Sequence, residues 1–448
     1  MKQYEAVVIG AGPGGYEAAL ELAKAGVKTL LIDRSKERIG GVCLNEGCIP
    51  TKAYLQSAEY ISEASYFNTC GVELDIKGVQ IDRLEGKTRS LIDEIRSGVV
   101  WMLDQAGVEL LFGSARFLDA GSIEVSGERI GFEKCIVATG SRVRELPLLP
   151  LDGKCIISSR EVFELDSLPA SITIVGGGPI GCEFATFFSA FGVEVTLIGR
   201  SAQLLPAEDE DVAKALLRAF KKRHINVLTG TSVKKAEVKE DGVKLLIEGG
   251  TQERMRAELV LCATGRTPYT EGLELENAGI RRDEKGFVSV NASFQTAQKH
   301  IYAVGDCIDT PAFAHTAYVE ARTAVRNITG GGRAVNDHIT PVVTFSHPAV
   351  ASCGLREKEA NDQGRAIEVR KAFFKVNAKA KILGDDSGFA KMIVCAESGV
   401  ILGASVVGVE AMEVIHELML AIEKKLTAKE LTEMIHVHPT VSEIIRYL

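Results

Sequence analysis

The chain has 448 residues, enough for two to four domains that each bury a core, and its 46% apolar and 25% charged residues exclude a disordered or fibrous protein. A formal charge of −8 argues against a duplex-DNA or anionic-membrane binder, and 6% aromatics with one Trp argue against a stacking platform for single-stranded nucleic acid. No apolar run reaches the roughly 18–20 residues of a transmembrane helix and the first residues do not read as a signal peptide, so the expected location is cytoplasmic.

Residues 5–9 (Glu-Ala-Val-Val-Ile) read as a buried strand, residues 16–25 as a helix and residues 27–32 as a second strand ending at Asp33. Between the first strand and the helix stands Gly10-Ala11-Gly12-Pro13-Gly14-Gly15. A G-x-G-x-x-G run in a β-α-β setting is a dinucleotide fingerprint: backbone approaches a pyrophosphate at the helix N-terminus, and an acidic residue about 20 positions on meets the ribose. The same grammar returns at residues 172–175, Gly176-Gly177-Gly178-Pro179-Ile180-Gly181, a helix through Phe191 and a strand over residues 193–198. Each unit is followed by an Ala-Thr-Gly step, at Ala138-Thr139-Gly140 and Ala263-Thr264-Gly265. One fingerprint alone is compatible with a tight strand-to-helix turn; two with matching downstream steps point to two Rossmann-like domains.

Pro147 and Pro150 mark a crossing between domains, and Gly330-Gly331-Gly332 marks a further boundary before a β-rich and finally helical α+β segment. The expected division is 1–146, 147–268, 269–335 and 336–448.

Ten cysteines are many for a reducing compartment, where static disulfides are rare. Cys43 and Cys48 stand close together in Gly40-Gly41-Val42-Cys43-Leu44-Asn45-Glu46-Gly47-Cys48-Ile49-Pro50-Thr51-Lys52. Their C-x4-C spacing lacks the second Cys/His pair of a zinc site. On an ideal helix such residues lie about 8.5 Å apart, beyond the roughly 7 Å limit for a disulfide. A bond would need a distorted helix, for which Gly47 and Pro50 provide; the alternative is two unrelated buried thiols. The other eight cysteines read as core residues.

Residues 40–52 resemble the redox signature of the flavin-dependent pyridine nucleotide-disulfide oxidoreductases. The likeness extends to both fingerprints, Ala263-Thr-Gly-Arg-Thr-Pro268, Ile301-Tyr-Ala-Val-Gly-Asp306 and the terminal His436-Val-His438-Pro-Thr-Val-Ser-Glu443. Pro311-Ala-Phe-Ala-His315 and residues 351–355 are most similar to the family members that oxidise dihydrolipoamide. The resemblance implies two Rossmann-like domains binding FAD and NAD, with a C-terminal α+β dimerisation domain. It implies a Cys43–Cys48 redox disulfide, with Cys43 exchanging with substrate and Cys48 beside the flavin, and His438 as base oriented by Glu443, reaching the thiols of the other subunit of a homodimer. Gly10, Gly12, Pro13, Gly14, Asp33, Arg34, Gly41, Lys52, Ala115, Gly140, Asp306 and Ala314 would bind FAD, with Lys52 paired to Glu183. Gly176, Gly178, Pro179, Ile180, Gly181, Gly199, Arg200, Val233 and Gly265 would bind the nicotinamide nucleotide. The implied partner is a lipoyl domain or lipoyl protein of a 2-oxo acid dehydrogenase or glycine-cleavage system; no metal, nucleic acid or membrane is expected. The alternatives are an NADP-dependent reductase of another disulfide, such as glutathione disulfide, and a redox-sensing flavoprotein without turnover.

Two positions depart from the family pattern. Gly199 stands where an NAD-selective site carries an acid, and Arg200 could meet a 2′-phosphate, although Pro206 stands where a second arginine is expected. Glu46 replaces an apolar residue between the cysteines, and an unshielded carboxylate there would raise a thiol pKa. Thr440 and Glu443 also have capping-box spacing.

Overall fold

The computed structural model describes residues 2–240, 242–250, 253–330 and 338–448; the expected boundary at 335/336 lies outside them. The protein is α/β and divides into two compact units, residues 1–51, 83–144 and 265–338 forming one, and residues 52–82, 145–264 and 339–448 the other. Among the described residues no helix is long and apolar enough to cross a membrane.

In the first unit, strands Glu109–Phe112, Thr29–Asp33, Lys2–Ile9 and Glu128–Val137 lie side by side in parallel, with Ile301–Ala303 also along the last of them. The sheet continues antiparallel through Ser122–Val125 and Ala115–Asp119. The first fingerprint helix, Pro13–Lys24, begins three residues before the expected Tyr16. Its physical reason is Pro13, whose ring presets the helical φ and whose missing N–H costs nothing in the first turn.

The second unit repeats the plan. Asn226–Leu228, Glu194–Ile198, Ser171–Val175, Leu259–Cys262 and Ile156–Ile157 form a wholly parallel sheet, with the second fingerprint helix at Pro179–Ala190. A five-stranded antiparallel sheet, Val342–Thr344, Val350–Gly354, Ile401–Val407, Phe389–Cys395 and Ile367–Phe373, carries the C-terminal part with the helix Ala411–Glu423.

The two fingerprints agree atom by atom. Gly10 N–H donates to Ile32 O at 2.7 Å and Gly176 N–H to Ile198 O at 2.8 Å; Ala138 and Ala263 N–H donate to Ile9 and Val175 O, each at 2.8 Å. A Cβ on Gly15 would stand 1.7 Å from Gly10 O, and one on Gly181 1.8 Å from Gly176 O. The third glycine of each motif is thus fixed by backbone packing.

A short helix, Gly41–Asn45, carries Cys43, and a new one, Cys48–Thr69, begins at the second cysteine. Glu46 closes the first at φ −139° and ψ 7°, so the pair does not sit on one continuous helix. Gly47 makes this interruption compact: a Cβ there would meet Val42 O at 2.9 Å and Cys43 Cα at 3.4 Å. Gly47 O then accepts the Thr51 N–H at 3.0 Å and hydroxyl at 2.6 Å.

Within the second unit an ion cluster joins the start of the helix Glu210–Lys222 to the C-terminal sheet. Lys391 is fully buried, its Nζ 2.6 Å from Asp209, 2.9 Å from Asp211 and 2.7 Å from Glu357. Burial alone would lower the ammonium pKa, but the three carboxylates outweigh it and hold the group above its ordinary value. Lys391→Met takes the ammonium from buried Asp209 and half-buried Glu357, while Asp211 keeps Lys371, and unfolding free energy is expected to fall by about 3–5 kcal/mol in thermal or urea melts. Because the lysine pKa is raised, its contribution is fully present below the free-lysine value and disappears only as pH rises through the folded one. The loss should therefore be equal at pH 7 and pH 9.

Glycine contrasts give a second test. Gly86, in the helix Ile81–Gln105, has open space around its Cβ position, so Gly86→Ala should stabilise by roughly 0.5–1 kcal/mol. Gly47→Ala should instead destabilise by about 1–3 kcal/mol through overpacking; a melt in which both stabilise would refute the compact turn.

Candidate active site

The first fingerprint forms a cradle for an anionic dinucleotide. Gly12 caps the helix in extended conformation, and a Cβ there would meet only Gly41 Cα, at 3.7 Å, so the first-turn N–H groups are not covered by side chains. Gly41 closes the other side, where a Cβ would stand 2.6 Å from Gly12 Cα. Asp33 accepts the Ala11 N–H at 2.7 Å with one oxygen and the Arg34 N–H at 2.7 Å with the other. That fixes the carboxylate while leaving lone pairs for a ribose hydroxyl. Arg34 lies over the Tyr269 ring at 4.7 Å.

Thr139 Oγ1, beside Gly140, is buried and has no hydrogen-bond partner among the described residues. A buried hydroxyl without a partner is costly, and a polar ligand would satisfy it. Gly140 itself, at φ +72°, presents an unobstructed Cβ position. Asp306 accepts the Ser141 hydroxyl at 2.6 Å, and Ser141 in turn accepts Arg266 Nε at 2.7 Å. Ala115 is buried at the start of its strand, and Ala314 opens the helix Ala314–Ile328. These residues fit a bound FAD: an N-terminal anion cradle, a ribose acid and a polar cluster along one wall.

The second fingerprint offers a similar cradle in the other unit. Gly178 caps the helix in extended conformation, Pro179 and Ile180 open its first turn, and nothing lies within 4 Å of a Gly178 Cβ. Gly199 follows Ile198 as Asp33 follows Ile32, but it is buried and has no side chain to offer. Arg200 is exposed and makes no ion pair among the described residues. Val233 is half-buried in the strand Ser232–Lys239. Gly265 belongs to the first unit, where its carbonyl accepts the Arg144 N–H at 3.0 Å.

Cys43 is half-buried and Cys48 exposed. Glu46 is not an unshielded charge: its Oε1 pairs with Arg38 at 3.3 Å, and this cation opposes the effect expected from a carboxylate between the thiols. Among the remaining cysteines, Cys135, Cys182, Cys262, Cys307 and Cys353 are buried, and desolvation pushes the Cys307 thiol up to about 12. Cys70 is exposed and Cys155 and Cys395 are half-buried, which corrects the reading of all eight as core. Cys70 follows the last residue of a helix and Cys395 ends a strand at a tight turn, positions where apolar flanking sequence does not imply depth.

Lys52 stands one turn beyond Cys48, and its ammonium binds both Glu183 oxygens, at 3.0 and 2.9 Å. Glu183 is 5% exposed and also accepts the Phe345 N–H at 3.0 Å, while Lys52 lies 4.4 Å from the Phe345 ring centre. The buried acid therefore accepts three hydrogen bonds from two groups, and the lysine has a fixed position.

His438 and Glu443 meet in the second unit. Both Glu443 oxygens lie 3.1 Å from His438 Nδ1. An ionised carboxylate only accepts, so Nδ1 carries the proton and Nε2 is the nitrogen presented outward by a side chain that is 72% exposed. Glu443 also accepts the Thr440 N–H at 3.0 Å, and this bond above all, with His438 and Arg446 beyond it, holds the carboxyl below its ordinary pKa. Thr440 does not complete a capping box: the short helix Ser442–Tyr447 is capped by Val441. His436 is turned away from this pair, bonded to Glu417 at 3.0 Å through Nε2 and to Met434 O at 3.2 Å through Nδ1.

Two groups carry no role in the sequence reading. Arg266, largely buried, binds the Ser141 hydroxyl and carbonyl, and desolvation above all lowers its guanidinium pKa, with Asp306, Glu46 and Cys48 only partly offsetting it. Glu320, fully buried on the helix Ala314–Ile328, accepts the Gly305 N–H at 2.6 Å and so holds the turn that presents Asp306. Arg266 lies inside a quoted motif, but Glu320 carries no local signal.

Residues 4–321 match the family model for pyridine nucleotide-disulphide oxidoreductases, and residues 340–448 match the model for their dimerisation domain. The dihydrolipoyl dehydrogenase of Thermus scotoductus is 39% identical, covering 99% of this chain and 96% of its own. That of Geobacillus stearothermophilus is 36% identical over 98% of this chain and 94% of its own. Among solved structures, LpdA of Mycobacterium tuberculosis superposes with a TM-score of 0.92 at 25% identity, covering 100% of this chain and 99% of its own. The HOCl-induced flavoprotein disulfide reductase RclA of Escherichia coli, in its Cu(II) complex, gives 0.89 at 27%, covering 100% and 98%. The chain is thus a flavoprotein disulfide oxidoreductase and belongs to the class I pyridine nucleotide-disulphide oxidoreductases.

Proposed function

We propose that the enzyme oxidises dihydrolipoyl groups borne by a lipoyl domain or lipoyl protein of a 2-oxo acid dehydrogenase or glycine-cleavage system, with FAD as resident cofactor and NAD+ as acceptor. The observation that carries this reading is the His438 Nδ1–Glu443 pair, together with Cys43 and Cys48 set on either side of a helix break. Full-length relatives named dihydrolipoyl dehydrogenase support it. In this reading residues 1–146 and 269–335 carry the flavin, residues 147–268 the nucleotide and residues 336–448 the interface of a homodimer. The thiol-rich core suits a cytoplasmic, reducing setting.

His438 Nε2 of one subunit takes the proton from a substrate thiol at the Cys43–Cys48 disulfide of the other, and Glu443 stabilises the resulting imidazolium. The substrate thiolate attacks Cys43 Sγ, and the electron pair of the broken S–S bond passes to Cys48. The second substrate thiol, deprotonated in turn, attacks the first substrate sulfur and releases Cys43 as thiolate. Lys52, held by Glu183, keeps a positive charge one helical turn from Cys48. The bound flavin supplies two-electron transfer from thiolate to nicotinamide. Gly12, Asp33 and Asp306 hold and orient it. Gly199 and Arg200 give the nucleotide site no ribose acid and one available cation, so NADP+ is the alternative acceptor.

Anaerobic mixing with dihydrolipoamide should bleach the flavin band rapidly, and Cys48→Ser should abolish this; glutathione disulfide should be a poor oxidant of the reduced enzyme. Steady-state rates with NADH are expected to exceed those with NADPH, and the reverse would reassign the nucleotide. His438→Ala should lower kcat by about 10²–10⁴-fold with flavin content unchanged.

Glu443 gives a pH signature. Its folded pKa is depressed, so its contribution to stability is present above the ordinary carboxylate value and lost as pH falls through the folded one. Between pH 6 and 3 the thermal midpoint of the wild type should fall more steeply than that of Glu443→Gln.

A further inference from the structure

The first fingerprint helix, Pro13–Lys24, crosses Ala314–Ile328 where a Gly14 Cβ would meet the Ala317 side chain at 3.4 Å. Beside this crossing Tyr16 and Tyr318 face each other, with ring centres 5.9 Å apart and hydroxyl oxygens 2.5 Å apart. Both side chains are half-buried, and neither hydroxyl has another hydrogen-bond partner among the described residues. Two phenols hold two protons, and their mutual contact uses one. The oxygen that accepts in that contact keeps its own proton for a third group, and its acidity is enhanced by the bond it receives.

The fold packs the segment that carries Cys43 against the start of the helix that carries Tyr16. Tyr16 lies in the turn after Gly12, Gly12 is packed on Gly41, and Cys43 follows Gly41 by two residues in the short helix Gly41–Asn45. The Gly40 N–H also donates to Ala11 O at 2.8 Å, which ties the cysteine segment to the start of the fingerprint helix.

We propose that the Tyr16–Tyr318 phenol pair donates a hydrogen bond to the Cys43 sulfur and stabilises its thiolate. The proposal rests on the dithiol-exchange reading above. When the second substrate thiolate attacks the first substrate sulfur, the substrate–Cys43 S–S bond breaks and its electron pair stays on Cys43 Sγ. The substrate leaves as the disulfide, having given two electrons to the Cys43–Cys48 couple and two protons to the base and solvent. A donor on Cys43 Sγ lowers the basicity of this leaving group, and thiolates of lower pKa leave faster.

The ionisation behaviour agrees. Burial above all, then the partner phenol and the Cys43 charge, pushes the Tyr16 hydroxyl far above the phenol range; burial, Cys43 and Cys48 raise Tyr318 while Tyr16 lowers it. The pair therefore stays protonated where the enzyme works. Glu17, the other charged group acting on both, is offset by Arg322 at 3.1 Å, and Glu46 by Arg38.

The test is peptide-resolved alkylation of the dithiothreitol-reduced, flavin-loaded enzyme by iodoacetamide as a function of pH. Wild type is compared with Tyr16→Phe, Tyr318→Phe and the double variant, with Cys70 and Cys395 as internal references. Hydrogen bonds to a charged group are strong enough for the double variant to shift the Cys43 midpoint upward by about one pH unit, or about tenfold less thiolate at neutrality. Each single variant should shift it by less, and the references should not move. An unmoved Cys43 midpoint in the single variants, with flavin content and visible spectrum intact, would overturn the proposal. No dihydrolipoamide enters this experiment, so it reads the pair even if the substrate assignment fails.

Discussion

The site depends on one interrupted helix. A continuous helix would hold residues five apart too far from each other for two sulfurs to bond. Here the helix ends at Asn45 and restarts at Cys48, and the turn closes only because Gly47 has no side chain to meet Val42 O. The break lets Cys43 and Cys48 face different surroundings while remaining neighbours. It also starts a new helix at the second cysteine, with Lys52 one turn along it. Sequence spacing, backbone packing and thiol chemistry are joined at this point.

Charge placement follows the same economy. The arginine at 38 answers Glu46, Glu183 answers Lys52, and three carboxylates surround Lys391. In these three places charge taken from water is matched by a partner of opposite sign, as buried charge requires. Stability and function use different examples of one rule. The Lys391 cluster fastens the start of the helix after Asp209 to the C-terminal sheet, whereas the Glu183 carboxylate fixes the ammonium of Lys52, which the proposed function places by the flavin.

What could be read from the sequence was what the backbone demands locally. The two fingerprints were legible because only glycine fits against Gly10 O and Gly176 O, and the Ala-Thr-Gly steps because each supplies the strand beside them. The helix start at Pro13 was displaced by three residues in a reading based on apolar periodicity, which does not register a proline's fixed φ. Groups brought together over long separations were not legible without a family resemblance. Lys52 and Glu183 are 131 positions apart, and Glu320 reaches Gly305 from a helix with no motif of its own. Lys391 sits in Phe389–Cys395, a run of otherwise apolar residues, and a lone lysine there gives no hint of acids 180 and 182 positions away.

The central claim is that Cys43 and Cys48 form the redox couple between a dithiol substrate and the flavin. Its most direct measurement is differential thiol labelling of the oxidised, flavin-loaded enzyme before and after one anaerobic equivalent of dihydrolipoamide, with each cysteine resolved by mass. The account predicts two new thiols per chain, at Cys43 and Cys48 and nowhere else. Flavin reduction with both cysteines unchanged in labelling, or new thiols at other positions, would contradict it.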